Sequence, residues 1–371
     1  TAAGRSGWRL NVPGALPMAT PAVADGSLFV GGGFGSHEFY ALDARTGKRE
    51  NVTPFGSDVR PSWAYDGGIF AFTNTSDRSV VVQEWPHRDG LRTTLHYGQP
   101  SLSGVTPAWL PDGRIIFSSS ANLQGVPCVG GSNHVANLAL LDPATGKARM
   151  LTFEQDHDWC PTVMNNGRIL YSRWEYTDSP HYFTRLMFHM NPDGTGQMEY
   201  YGSNSYWPNG MFYARPIPGH PTKIVGVVSG HHGVPRMGEL VVVDPARGRR
   251  EADGAVQRIP GRGQPVQPVI ADGLVNASWP KFLHPYPLSE KYFLVSCQPH
   301  QDAPWGIYLA DVFDNLVLIK ELPGNALFEP LPLRPTSTPP VVPDRVDPEA
   351  KEASVYIVDV YRGPGLEGIP R

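Results

Sequence analysis

Pro107-Ala-Trp-Leu-Pro-Asp112-Gly113-Arg-Ile-Ile-Phe117 and Pro161-Thr-Val-Met-Asn-Asn166-Gly167-Arg-Ile-Leu-Tyr171 are two copies of one unit. In each, a proline and an apolar segment lead to Asp-Gly or Asn-Gly, and a β-rich run follows. Earlier copies are Pro21-Ala-Val-Ala-Asp25-Gly26-Ser-Leu-Phe-Val and Pro61-Ser-Trp-Ala-Tyr-Asp66-Gly67-Gly-Ile-Phe. The turns at Asp25, Asp66, Asp112 and Asn166 are spaced by 41, 46 and 54 residues. Asp-Gly and Asn-Gly accept positive φ, so each is expected to close a hairpin, here read as type I′. A second turn signal follows apolar runs at Asp43-Ala-Arg-Thr-Gly47, Asp142-Pro-Ala-Thr-Gly146, Asn191-Pro-Asp-Gly194 and Asp244-Pro-Ala-Arg-Gly248. Two hairpins per unit at this period make the four-stranded antiparallel blade of a β-propeller. More degenerate units fall near Trp207–Gly263, Trp279–Gly324 and Phe328–Gly363. The reading is an all-β propeller forming a single domain over residues 1–371, with seven blades favoured over six or eight.

Composition points the same way by exclusion. Gly (40) and Pro (38) make up about a fifth of the 371 residues, against ~12% in average usage. With 15 Phe, 15 Tyr and 9 Trp the chain carries too much buriable area for a disordered polymer. A net charge of −4 without a long Lys/Arg run argues against a nucleic-acid partner. No segment is apolar over the length of a membrane span. Three cysteines are too few for a disulfide framework, and no Cys-x-x-Cys-His is present to attach a c-type haem. Nucleophile-elbow, Walker, His-Glu-x-x-His and EF-hand patterns are also missing. Thr1-Ala-Ala-Gly reads as a mature or engineered terminus with any export signal removed, and the natural polypeptide is expected to continue past Arg371. The Pro-rich stretch 332–348 is expected to be a surface excursion.

Two resemblances follow from particular segments. Residues 8–50, with Trp8-Arg-Leu and Phe39-Tyr-Ala-Leu-Asp-Ala-Arg-Thr-Gly47, resemble the repeat of quinoprotein (PQQ-type) propellers. Within 51–371, several segments resemble the middle domain of the hydrazine synthase alpha subunit and related planctomycete proteins. They are Gly125-Val-Pro-Cys-Val-Gly-Gly-Ser-Asn-His134, Phe153-Glu-Gln-Asp-His-Asp-Trp-Cys-Pro161, Tyr171-Ser-Arg-Trp-Glu-Tyr176, Tyr200-Tyr-Gly-Ser-Asn-Ser-Tyr-Trp-Pro-Asn209, Gly230-His-His-Gly-Val-Pro-Arg236 and Trp279-Pro-Lys-Phe-Leu-His-Pro-Tyr286. This resemblance implies a propeller in an exported, haem-associated redox protein, near a site with haem and zinc. A haem-bearing domain or subunit is the implied partner, within a homo- or hetero-oligomer. Haem c would have to come from outside this chain, zinc is the metal to expect, and PQQ is not expected, because no acidic metal ligands from adjacent blades are recognisable.

Candidate ligands come from the residues themselves. Asp156-His157-Asp158-Trp159-Cys160 is the densest cluster of coordinating types, in a loop leading into an inner strand. Strand alternation would aim Asp156, Asp158 and Cys160 one way, and His157 and Trp159 the other. Cys128 and His134 share a Gly-rich loop, and with His157 or Cys160 they suit a mixed Cys/His zinc site. A Cys128–Cys160 disulfide is the alternative. His231 and His232 are a further metal candidate, although neighbours on extended backbone point apart. Arg173, Trp174 and Glu175 are placed at the channel mouth, with an Arg–Glu brace as the structural reading. Tyr206 and Trp207 offer stacking faces for a ligand or packing faces between blades. Three functions remain: a redox-associated scaffold, a non-catalytic TolB-like interaction propeller, and a quinoprotein-like dehydrogenase.

Overall fold

The computed structural model describes residues 104–352 apart from 127–133, 176–184, 203–204, 231–235, 277, 333–335 and 348, together with segments 22–24, 27–31, 39–53, 62–63, 69–74, 79–84 and 92–95. All regular elements among them are strands, grouped in six four-stranded antiparallel sheets. The first holds β1 (Ala22–Ala24), β2 (Ser27–Gly31), β3 (Phe39–Asp43) and β4 (Arg49–Thr53). The second holds β5 (Ser62–Trp63), β6 (Ile69–Asn74), β7 (Ser79–Glu84) and β8 (Arg92–Leu95). The third holds β9 (Gly104–Trp109), β10 (Ile115–Ser119), β11 (Asn137–Asp142) and β12 (Lys147–Met150). The fourth holds β13 (Asp158–Val163), β14 (Ile169–Trp174), β15 (Arg185–Met190) and β16 (Met198–Tyr201). The fifth holds β17 (Met211–Pro216), β18 (Ile224–Val228), β19 (Glu239–Val243) and β20 (Ala255–Ile259). The sixth holds β21 (Lys281–Pro287), β22 (Tyr292–Gln298), β23 (Gly306–Asp311) and β24 (Leu316–Lys320).

Strands follow one another in order within every sheet, and β5, β9, β13 and β17 each pack on the first strand of the next sheet. First strands are therefore innermost, which is propeller architecture. Six expected blades are present. The seventh, expected from Phe328 to Gly363, has no strand among its described residues, and its strand Val355–Asp359 lies outside them.

The hairpin turns depart from type I′. Gly113 (φ 87°) and Gly167 (φ 79°) are left-handed, but Asp112 and Asn166 are not. The amides of Gly113 and Gly167 donate to the carbonyls of Leu110 and Met164. This is a type I turn closed by a left-handed glycine, so one residue per turn needs positive φ. The second turn class is held by its acid: the Asp142 carboxylate accepts from the Ala144 amide at 2.9 Å and the Thr145 hydroxyl at 2.8 Å.

The core lies between blades. β10, β14 and β18 are buried along their whole length, because middle strands are covered on both faces. Ile224, Val228, Val241 and Val243 pack toward the fourth sheet with Leu170, Met187 and Tyr201. The alternate residues Val225, Val227, Leu240 and Val242 pack toward the sixth with Phe293 and Val295. Each such Val or Leu stabilises by about 1.5–3 kcal/mol on full burial.

The Pro-rich stretch runs without strands over the hairpin turns of the third and fourth sheets. Arg114 donates to Asp344 at 2.7 Å, and Pro340 lies against Gly167.

Candidate functional site

The inner strands share one irregularity. Residue pairs 106–107, 160–161, 213–214 and 284–285 each oppose a single partner residue, a β-bulge repeated blade after blade. Three of these pairs end in proline, which has no amide to give and is tolerated at bulges. The first bulge residue is left-handed in three consecutive blades: Cys160 (φ 52°), Tyr213 (φ 54°) and His284 (φ 47°). The bulge at Cys160 breaks the alternation expected for it. Residues before the bulge keep theirs, since His157 and Trp159 share a face with ring centroids 4.7 Å apart, while Asp156 and Asp158 are fully buried.

A band of rings crosses this region. His157 and Trp159 stack with Trp174 at 6.0 and 6.4 Å, and Trp159 lies 6.1 Å from Phe212. Phe212 leads to Tyr213, whose ring meets His284 edge-on at 4.4 Å. His284 lies 6.0 Å from Phe328, and its Nε2 is 3.5 Å from the Glu329 carboxylate. The guanidinium of Arg236 covers both Trp159 (4.9 Å) and Phe212 (4.7 Å).

The loop before β13 is tied to the third sheet. Ala136 N–H donates to His157 Nδ1 at 3.0 Å, Asp158 N–H to the Ala136 carbonyl at 2.8 Å, and Asn137 Nδ2 to the Asp156 carbonyl at 3.0 Å. Asp158 sits opposite Arg173 in the β13–β14 ladder and accepts from its Nε at 2.9 Å. Arg173 also reaches Glu154 (3.0 Å) and Gln197 (2.9 Å), and stacks over Tyr171 and Phe188. Arg173 thus braces the blade through Asp158 and Glu154. Burial pushes the Asp158 carboxyl up to about 6, against the opposing pull of Arg173. Burial likewise raises Glu175.

The remaining candidates separate. His134 is exposed and its backbone bridges to Gly125. Trp207 is 1% exposed in the core between the fourth and fifth sheets, its amide held by Glu251 at 2.9 Å. Tyr206 beside it is half-exposed, its amide on the same carboxylate. Cys128, His231 and His232 lie outside the described residues, and with Cys128 the disulfide alternative. Among the described residues no three His, Cys, Asp or Glu side chains gather as a metal site. Asp158 is spent on Arg173 and His157 Nδ1 on the Ala136 amide, so zinc at this loop would need ligands from outside the described residues. Sequence reasoning passed over Tyr213, His284 and Arg236. The signal was there in the residue preceding proline at Cys160-Pro161 and His284-Pro285.

Sheets, inner strands and bulges define a β-propeller. No protein-family profile matches the chain, and no curated protein matches it in sequence. Among solved structures, hydrazine synthase of Kuenenia stuttgartiensis is similar at a TM-score of 0.55 and 16% identity, over 77% of this chain and 41% of that one. The chain thus spans about two-fifths of that relative. Oligogalacturonate lyase from Vibrio parahaemolyticus (TM-score 0.44, 12% identity, 74% of both chains) and TolB from Acinetobacter baumannii (0.42, 12%, 76% of this chain and 59% of that one) are also similar. The likeness to hydrazine synthase shows a shared propeller fold.

Proposed function

We propose that this chain is the propeller scaffold of an exported, hydrazine-synthase-like redox protein, framing a haem- or zinc-associated centre that other parts of the assembly complete. The observation that carries this reading is a convergence in space. The segments 153–161 and 230–236, both part of the sequence resemblance, meet where Arg236 lies over Trp159. In the sequence, His231 and His232 precede Arg236 by five and four residues. His157 Nδ1 already accepts the Ala136 amide, so a ligand at this imidazole would have to use Nε2. The resident group would supply the redox or Lewis-acid chemistry. The chain's own residues would position it and exclude water with the Trp159–Trp174–Phe212 band.

The test is metal and haem analysis of the natural full-length protein purified from its own compartment. Bound zinc that is lost in His157→Ala, or a haem-bearing partner that co-purifies, is the expected result. Finding neither zinc, iron nor copper, and no haem absorption in the purified assembly, would sink it. A second reading, a non-catalytic interaction propeller, is favoured by one observation: Asp158 and Arg173 neutralise each other inside the blade and are unavailable for chemistry. In that case His157→Ala changes neither metal content nor any activity.

A further inference from the structure

Two arginines near the inner strands stack on pairs of aromatic rings, and they are treated in opposite ways. Arg173 covers Tyr171 and Phe188 and is neutralised by Asp158 and Glu154. Arg236 covers Trp159 and Phe212, yet no carboxylate pairs with it among the described residues, and its Nη1 is buried without a hydrogen-bond partner. A buried guanidinium is ordinarily paired, because desolvating the charge is costly and the orphaned donor adds to that cost. Its backbone is left-handed too (φ 57°), a conformation a non-glycine residue keeps only under constraint. Burial depresses its basicity, and the charged neighbours that oppose this are weak acids, Tyr213 and Cys160.

The geometry points to Arg236 as the anchor of a binding site for a small carboxylate with a ring-shaped or apolar body. Its two ring contacts leave the N–H edges of the guanidinium to meet a ligand, and a planar carboxylate matches those edges with two parallel hydrogen bonds. The residue as a whole is partly buried and Nη1 itself is fully buried, so a ligand would meet the Nε–Nη2 edge. One uncompensated positive charge calls for one negative charge. The rings of His157, Trp159 and Trp174 stack on one another, within 19–21° of parallel, and with Phe212 they make the surroundings of the guanidinium apolar. Nothing in this inference depends on a haem or metal centre.

Benzoate is a suitable probe, with quenching of tryptophan fluorescence as the readout and inorganic phosphate as comparison. Saturable quenching by benzoate is expected, weakened at least tenfold in Arg236→Gln and unchanged in Arg258→Gln, whose arginine pairs with Glu239 elsewhere in the fifth sheet. Equal affinity in wild type and Arg236→Gln, or no saturable response in wild type, overturns the site. Should Arg236→Gln fail to fold, the wild-type protein can be labelled with phenylglyoxal and its Arg236 peptide quantified. Benzoate protecting that peptide supports the site. No protection overturns it, and phosphate protecting as well as benzoate overturns the carboxylate assignment.

Discussion

Replacing Asp158 by Asn tests whether burial or Arg173 dominates the electrostatics of the fourth blade. The carboxyl is fully buried, 2.9 Å from the Arg173 guanidinium, and burial lifts it to about 6 despite that neighbour. Against an unfolded aspartate near ~3.9 this is about two units, and at ~1.4 kcal/mol per unit it amounts to about 3 kcal/mol. Because the folded pKa lies above the unfolded one, the folded chain holds this proton more tightly between pH ~4 and ~6. Its contribution to stability is therefore greatest below that window and declines as pH rises through it. Asn cannot titrate, and it leaves Arg173 with Glu154 and Gln197. Urea unfolding followed by tryptophan fluorescence, repeated from pH 4 to 7.5, gives the difference in stability between the two proteins. Wild type should lose roughly 2–3 kcal/mol relative to Asp158→Asn across that range. Other titrating groups largely cancel, including His189, which burial lowers to about 4 in both proteins. A flat difference, or one that favours wild type increasingly with pH, would mean that the ion pair outweighs burial and the reasoning is wrong.

Two further outcomes rest on packing. Gly167→Ala should destabilise by about 3 kcal/mol in thermal unfolding, since its left-handed backbone (φ 79°) resists a side chain and a Cβ would lie 2.1 Å from the Pro340 carbonyl oxygen. Gly113→Ala, equally left-handed but with nothing within 4 Å, should lose only about 1 kcal/mol, and equal losses would show that the Pro-rich stretch does not press on Gly167. Cys297 is fully buried and its thiol is pushed up to about 12, so peptide mapping after treatment with a thiol-specific disulfide reagent should find it unlabelled in native protein and labelled in urea; rapid native labelling would contradict its burial.

The blade repeat was legible because its signals are local. A glycine that must be left-handed, as at Gly113, Gly167 and Gly194, announces a turn from the sequence alone. The apolar runs at Leu138 and Leu240 announce strands buried on both faces. The turn type was misjudged because Asp-Gly suits both a type I′ turn and a type I turn with a glycine bulge, and only the backbone of Asp112 separates them. The site was harder to read. That Asp158 would choose Arg173 depends on the register of β13 against β14, and that Arg236 would cover Trp159 depends on contact between neighbouring sheets. For Trp207 ligand stacking and blade packing both stayed open, because an aromatic pair reads alike in a core and in a channel; the Glu251 carboxylate that holds its amide lies 44 residues away in sequence.

The repeated bulge explains why fold and chemistry can be encoded separately. Hydrophobic alternation and turn residues fix the second and third strands, where a polar substitution would face a neighbouring sheet. The bulge residue of each inner strand is outside that alternation, since two residues there oppose one partner. Holding Cys160, Tyr213 and His284 left-handed costs of order 1 kcal/mol each, a cost that glycine at the same places would remove. Three consecutive blades nonetheless carry a thiol, a phenol and an imidazole at this position, beside an arginine with no carboxylate partner among the described residues. Strain of this kind persists only where surrounding contacts over-determine it, so the repeated bulge, with an unneutralised charge beside it, is the position at which binding is to be tested first.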